Sequence, residues 1–351
     1  MRRLNFIRFG LAALWLPWAS VSRANLTFNF VPEPGTPQSV IDGFIAAGLH
    51  WSSLLQDNVT INLSIGYQAL PVGAIGQTTP NYVERDYATV RAALTASATT
   101  ANDQAAYAQL QPGPAYTRLI NRTADNPNGA NSATPYTHSL TPVSVTRANA
   151  KALGLLPPDA ASDASIIFSS NTAFDFDPSN GTTAGQYDFI TLAGHEIGHV
   201  LGFVSGVDVL DQAAGLSLAS QIPARILDLF RFSAASVAAG TGYIDMTADS
   251  RNKYLSLDGG VTALTPFATG VTYGTGSQAS HWREFLFAGY LMDPQLFPGV
   301  QRGISATDLR AFDILGYRVP EPSSVTLLGV GLLVFTWRCR SARGKFCDQR
   351  R

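Results

Sequence analysis

Cysteine is almost absent from this chain. Two cysteines occur among 351 residues, Cys339 and Cys347, and both lie close to the C-terminal end. The long segment before them therefore has no disulfide framework and no cysteine that could ligate or block a metal ion. Methionine and histidine are also scarce, with three and five copies, so the candidates for a metal site can be considered one by one.

Long hydrophobic runs are lacking except at the two ends of the chain. At the N-terminus, arginines precede an apolar run over 9–18, and small residues follow up to Ala24. This order predicts a secretory signal over residues 1–24 that signal peptidase removes. The second run, 325–337, is short for a membrane-spanning helix, although basic residues follow it.

The C-terminal run is the middle part of a three-part pattern. Pro320-Glu321-Pro322 precedes it, and a cluster of arginines follows it. This order resembles the PEP-CTERM sorting signal that exosortases process in Gram-negative bacteria. The resemblance implies a sorting signal over 319–351, transient membrane association through 325–337, cleavage by an exosortase-type enzyme, and a final location at the cell surface or outside the cell. A plain membrane anchor is the alternative interpretation.

Positive charge is low in the part between the two end segments. Residues 25–319 contain 14 Lys and Arg against 23 Asp and Glu, a net charge of −9. This charge argues against nucleic acid as a partner, because the phosphate backbone is itself an anion. The length suits one large domain or two subdomains that share a cleft.

One stretch carries a chemical pattern, GHEIGHVLG over 194–202. On a helix, His195 and His199 are about one turn apart on the same face, so both imidazoles can bind one Zn²⁺ ion. Glu196 can then act as general base for a zinc-bound water that attacks a peptide carbonyl. Asp188 is placed to be the N-cap of this helix. The alternative is a polar helix face that binds no metal.

A catalytic zinc ion normally takes three protein ligands and leaves one position for water. The histidines outside the helix are His50, His138 and His281. We assign no role to the first two and take His281 as the third ligand. Asp208, which is closer in sequence to the helix, and Glu284 remain the alternative ligands.

The order of motifs resembles the leishmanolysin group of metzincins. After GHEIGHVLG come the distant His281, then Met292-Asp293-Pro294, then an amphipathic helix over 308–317. The resemblance implies that both helix histidines and His281 ligate zinc. It also implies that Glu196 is the general base and that Met292 lies under the zinc ion.

The same resemblance implies a secreted zinc endopeptidase that acts on proteins or peptides. The expected fold is α+β, a metzincin-like protease of two subdomains with a zinc cleft between them. The protease domain would cover 25–318, with an N-terminal subdomain to about 205, an inserted β-rich segment over about 206–278, and a C-terminal subdomain over 279–318. A surface or matrix protein that keeps this fold without catalysis is the alternative, which the intact glutamate of the motif disfavours.

Hydrophobic periodicity and local composition predict further elements. They are a helix over 37–56, a strand over 59–67, helices within 84–110, a loop over 121–145, and short strands over 226–232 and 254–260. The oxygen-rich stretch 175–181 is predicted to be a plain turn, with a calcium site as the alternative.

One predicted strand, 164–170, comes shortly before the zinc helix. By analogy with metzincin clefts, we expect it at a sheet edge, where a substrate peptide could be added as an antiparallel strand. Ile166, Ile167 and Phe168 would then bind the substrate through their main chain. An interior strand is the alternative.

Overall fold

The computed structural model describes residues 25–216, 219–283 and 289–320. The predicted signal 1–24, the apolar run 325–337 and Glu284 lie outside the described residues. The fold is α+β with several small sheets. In the described ranges, no helix is both long enough and apolar enough to cross a membrane.

Eight α-helices and fourteen strands are distributed over the described part of the chain. The helices are α1 (Gln38–Leu54), α2 (Tyr87–Ser97), α3 (Ala101–Ala108), α4 (Arg147–Ala152), α5 (Phe189–Val200), α6 (Val207–Gln212), α7 (Ala234–Ala239) and α8 (Ala306–Ile314). The strands are β1 (Thr27–Pro32), β2 (Thr60–Gln68), β3 (Gly76–Pro80), β4 (Tyr82–Asp86), β5 (Tyr116–Ile120), β6 (Tyr136–Leu140), β7 (Pro142–Thr146), β8 (Ala164–Ser169), β9 (Phe174–Asp175), β10 (Tyr187–Asp188), β11 (Arg231–Phe232), β12 (Ile244–Asp245), β13 (Lys253–Leu255) and β14 (Pro266–Phe267).

The largest sheet has four strands in the order β1, β2, β8, β3. Strands β1, β2 and β8 are parallel, and β3 is antiparallel to β8. In β2, the alternating residues Ile61, Leu63 and Ile65 are fully buried, so one face of the strand packs on the core. Strand β3 is at the edge of this sheet, and no other strand of the described residues lies beyond it.

Helices α1 and α5 pack against each other beside this sheet. Phe44 of α1, Phe168 of β8 and Phe189 of α5 contact one another, with ring centroids 4.8 to 5.6 Å apart. Aromatic groups of this size contribute much of the buried apolar area of a core. Trp51 of α1 also donates its indole N–H to the carbonyl of Gly194 at 2.9 Å. These contacts fix α5 relative to the sheet.

Several predicted elements are confirmed with small shifts at their ends. Helix α1 and strand β2 occupy the predicted positions, and 84–110 contains the two helices α2 and α3, separated at 98–100. The amphipathic segment near the C-terminal end of the described chain forms α8. These segments have strong periodicity, which is the most dependable local signal.

The edge position predicted for 164–170 is wrong. This segment is β8, an interior strand whose backbone pairs with β2 on one side and β3 on the other. Its main chain therefore cannot accept a substrate strand. The prediction failed because it rested on analogy with metzincin clefts, and the sequence of a strand does not show which strands lie beside it.

Other local predictions also need correction. The predicted loop 121–145 contains β6 and β7 over its second half. The Pro, Ser and Thr residues of these strands give them a loop-like composition, although β7 is almost entirely buried. Of the predicted strand 226–232, residues Leu227–Phe230 form a 3₁₀ turn, and only β11 is extended. That turn is buried, so its apolar residues reflect burial and not an extended backbone. Of 254–260, only the first two residues belong to β13.

Candidate metal centre

Helix α5 carries the first two histidines. It begins after Asp188, whose carboxylate accepts a hydrogen bond from the backbone N–H of Thr191 at 2.9 Å, as predicted for an N-cap. It ends at Val200, and Gly202 then has a φ of +114°, which glycine adopts at little cost. The chain therefore turns away from the helix axis just beyond His199.

His195, His199 and His281 come together in the structure, although His281 is far from the other two in sequence. The Nε2 atom of His195 lies 3.1 Å from Nε2 of His199 and 3.2 Å from Nε2 of His281. All three side chains are buried. The structure thus gathers the three histidines at one point.

The opposite ring nitrogens are all turned toward backbone carbonyls. Nδ1 of His195 lies 2.7 Å from the carbonyl of Leu291, Nδ1 of His199 lies 2.8 Å from that of Phe203, and Nδ1 of His281 lies 3.2 Å from that of Gln278. A carbonyl can only accept, so each Nδ1 carries the hydrogen and donates it. With Nδ1 as the donor, each Nε2 is the ring nitrogen whose lone pair can point to the common point.

Burial favours the neutral form of His199 and of His281. Loss of hydration, together with the neighbouring His195, lowers the pKa of His199 to about 4. Burial and the two other rings lower the pKa of His281 well below its usual value. Three inward lone pairs repel one another unless a cation lies among them, so the geometry suits a metal ion.

Asp208 holds the segment that carries His281. Its carboxylate accepts hydrogen bonds from the backbone N–H groups of Ala279 and Ser280 and from the Ser280 hydroxyl. The Ser280 hydroxyl oxygen in turn accepts from the N–H of Ser205 at 2.9 Å. Asp208 is outside the cluster of candidate ligands and supports the loop on which one of them sits.

Met292 lies directly below the histidine helix and is fully buried. A Cβ atom on Gly198 would be 2.4 Å from the Met292 sulfur, so a side chain at this point of α5 would displace Met292. The backbone N–H of Met292 donates to Asp308 at 3.3 Å, and that carboxylate also accepts from Leu291 and from the Trp282 indole. Sequence reasoning missed Asp308, whose local signal is the capping box that it forms with Ser305.

Glu196 contacts strand β3 directly. Its Oε2 atom accepts a hydrogen bond from the Thr78 hydroxyl at 2.6 Å. Its Oε1 atom lies 3.2 Å from where a Cβ on Gly76 would stand. The glutamate is therefore held between the histidine helix and the edge strand, beside the three imidazoles. Thr78 was not identified from the sequence, because no motif connects it to the helix.

A cavity of about 650 Å³ contains this centre. One wall is formed by residues 73–78 in and before β3, and the floor by His195, Glu196 and His199. The residues predicted to bind substrate, Ile166, Ile167 and Phe168, do not line it, and the first and last are fully buried. The strand that borders the cavity is β3, which takes the place expected for β8.

Hydrogen bonds to Asp175 stabilise the loop that contains the oxygen-rich stretch 175–181. Both carboxylate oxygens of Asp175 accept hydrogen bonds, one from the N–H of Asp177 and the other from the N–H and hydroxyl of Thr183. These hydrogen bonds lower the pKa of the Asp175 carboxyl, the largest contribution coming from the Thr183 hydroxyl. The stretch begins at the end of β9 and contains a short 3₁₀ turn, Pro178–Asn180.

Comparison with known proteins identifies the C-terminal segment. Residues 318–341 match the PEP-CTERM protein-sorting motif. This motif indicates export and sorting to the surface of a Gram-negative cell, with processing by an exosortase-type enzyme. No curated protein matches the chain, and no solved structure matches it.

Proposed function

We propose that the protein is an exported zinc endopeptidase, similar in its arrangement to the leishmanolysin group of metzincins. The observation that carries this proposal is the convergence of three buried Nε2 atoms beside Glu196 at the floor of a cleft. Three nitrogen ligands on one tetrahedral zinc ion, at about 2.0–2.1 Å each, would lie roughly 3.3 Å from one another. The two measured separations of 3.1 and 3.2 Å agree with that spacing.

The kind of ligand also supports zinc. Neutral imidazole is a preferred zinc ligand, and the Nδ1–H groups that bind carbonyls are the outer contacts that usually orient such rings. When bound, zinc would polarise the scissile carbonyl and lower the pKa of a coordinated water. Met292 packs against Gly198 of the histidine helix, which supports its proposed place under the zinc ion.

Glu196 is assigned as the general base. It stands next to His195 in sequence and projects into the same cavity. It would take a proton from the attacking water and return it to the leaving amine. Its hydrogen bond from Thr78 holds the carboxylate in one orientation and leaves Oε1 for the water.

The substrate is proposed to lie along β3. An edge strand has unpaired backbone N–H and C=O groups, which can pair with an extended peptide. Thr78 is in the middle of this strand and contacts Glu196, so a peptide paired there would pass over the catalytic glutamate. Main-chain pairing makes little demand on sequence, which suits an endopeptidase. Export through the sorting signal would place this activity outside the cell.

The direct test measures metal and proteolysis in the same purified mature protein. We expect about one zinc ion per chain and cleavage of an unstructured protein substrate, because the site has three ligands and one open position. A strong zinc chelator should abolish cleavage and added zinc should restore it, whereas a non-chelating isomer of that chelator should have no effect. Zinc without any proteolysis would favour a surface or matrix protein, and a protein that binds no zinc would refute the proposal.

Thr78 provides a second, milder test. Thr78→Val keeps the shape and backbone of β3 but removes the hydrogen bond to Glu196, which then lies in more than one orientation. We expect kcat to fall about 10-fold, since one hydrogen bond to a charged group is worth roughly 1.5–3 kcal/mol and water replaces part of it. Zinc content and KM should change little. Thr78→Ser is the control, and it should retain most of the activity; equal losses in both variants would contradict this role.

A further inference from the structure

We infer that Arg225 forms an anion-binding subsite in the cleft and selects substrates with an acidic side chain on the N-terminal side of the cleaved bond. This inference rests on the proposed peptidase function. Arg225 lines the same cavity as the three histidines and Glu196. Its guanidinium carbon lies 4.0 Å from the ring centroid of Tyr82, which also lines the cavity.

The Arg225 guanidinium has no carboxylate partner within the described part of the chain. None of the ion pairs found there includes it. Its Nε atom is buried and makes no hydrogen bond. A guanidinium has five donors in a planar fork that fits a carboxylate in a bidentate pair. A partly buried guanidinium that lines a cavity and lacks a carboxylate partner is suited to binding a carboxylate of a ligand.

Asp208 lines the same cavity and Asp228 contacts the Arg225 backbone, but both carboxylates are already occupied. Asp228 accepts from the Ser205 hydroxyl and from the backbone N–H groups of Gly206 and Arg225 itself. Asp208 accepts from the segment that carries His281, as described above. Both acids therefore bind backbone and hydroxyl donors, and Asp228 fixes the main chain of Arg225 relative to the turn that follows the histidine helix.

The position of Arg225 along the cleft determines which part of a substrate it would meet. Strand β3 runs from Gly76 to Pro80, and Tyr82 comes shortly after it in the chain. Because Arg225 stacks on Tyr82, Arg225 lies beyond the C-terminal end of β3. A substrate paired antiparallel to β3 has its N-terminal part at that end. Thr78 and Glu196 mark the point of cleavage, so Arg225 would contact a residue before the cleaved bond.

The opposite end of the cleft has a different character. Tyr187 lies beside residues 73–75, which precede β3. The Gly299 N–H donates to the carbonyl of Gln186, so Leu296 and Phe297 line the cavity at the same end. These side chains are apolar or aromatic and would receive an apolar residue after the cleaved bond. The cleft is thus chemically asymmetric, with a cation at one end and an apolar wall at the other.

The test compares peptides that differ in one residue. A mixture of peptides first locates the cleaved bond by mass spectrometry; Glu, Gln and Lys are then placed in turn at the positions before it. For the zinc-loaded protein we expect one position at which Glu gives a kcat/KM about 10-fold or more above Gln, the effect of a charge-assisted pair worth roughly 1.5–3 kcal/mol. Arg225→Gln should reduce that ratio to about 2-fold or less, and Arg225→Glu should favour Lys.

The matched control is Arg122→Gln. Arg122 also stacks on a tyrosine, with its guanidinium carbon 3.9 Å from the Tyr273 ring centroid, but it does not line the cavity. It should leave the preference for Glu unchanged. Arg225→Lys keeps the charge and should keep part of the preference, which a purely structural role for Arg225 would not predict. A wild-type preference for Lys, no preference, or a preference for Glu that survives Arg225→Gln would overturn the inference.

A binding measurement separates this inference from the peptidase proposal. Fluorescent Glu and Gln peptides are titrated against Glu196→Gln and against Glu196→Gln combined with Arg225→Gln. If the Glu peptide binds more tightly and the double variant loses this preference, the anion-binding subsite is established even if the wild-type protein cleaves nothing. Equal binding of both peptides to Glu196→Gln would refute the subsite, whatever the fate of the peptidase proposal.

Discussion

His281→Ala is expected to lower zinc occupancy strongly and to abolish peptidase activity. Two helix histidines would remain, and two ligands rarely hold zinc against dilution. The loss of affinity should exceed the roughly 10–100-fold that is typical when only an outer contact of a ligand is removed. Metal analysis after dialysis, together with a cleavage assay, measures both effects.

Two further variants make this result specific. His50→Ala changes an exposed histidine on α1 and should leave zinc and activity intact. Asp208→Ala should retain the metal, although binding should weaken because Asp208 holds the 279–281 segment in place. If Asp208→Ala released zinc completely while His281→Ala kept it, the third ligand would be Asp208, and the leishmanolysin-like arrangement would fail.

Glu196→Gln is expected to keep the fold and the zinc ion but to remove most turnover. Glutamine has nearly the same shape and can still accept a hydrogen bond from the Thr78 hydroxyl, yet it cannot take a proton from water. A positioned general base typically contributes about 10²–10⁴-fold, and the loss in kcat should lie in that range or above it.

The control for Glu196→Gln is the metal content of the same preparation. Normal zinc with lost turnover assigns Glu196 to proton transfer, since zinc binding does not require this carboxylate. Loss of zinc would instead indicate that Glu196 is a ligand. Full activity with normal zinc would remove it from the mechanism.

Local sequence was sufficient for elements with strong periodicity and for the histidine helix. Helix α5, its Asp188 cap and the sharp turn at Gly202 all follow from residues within one short stretch, because capping and helical spacing act over a few residues. Weakly patterned segments such as β6 and β7 were missed, since their strand pairing depends on partners elsewhere in the chain.

By itself, the sequence determined the residue types of the candidate centre, the order of its motifs and the sorting segment that the comparison identified at 318–341. Only the tertiary structure decided that His281 lies beside the helix histidines, that β3 borders the cleft, and that Thr78 and Arg225 face it. The physical reason is distance along the chain. Spacing within a helix is set by backbone geometry, whereas the order of strands in a sheet and the contacts between remote loops depend on how the whole core packs.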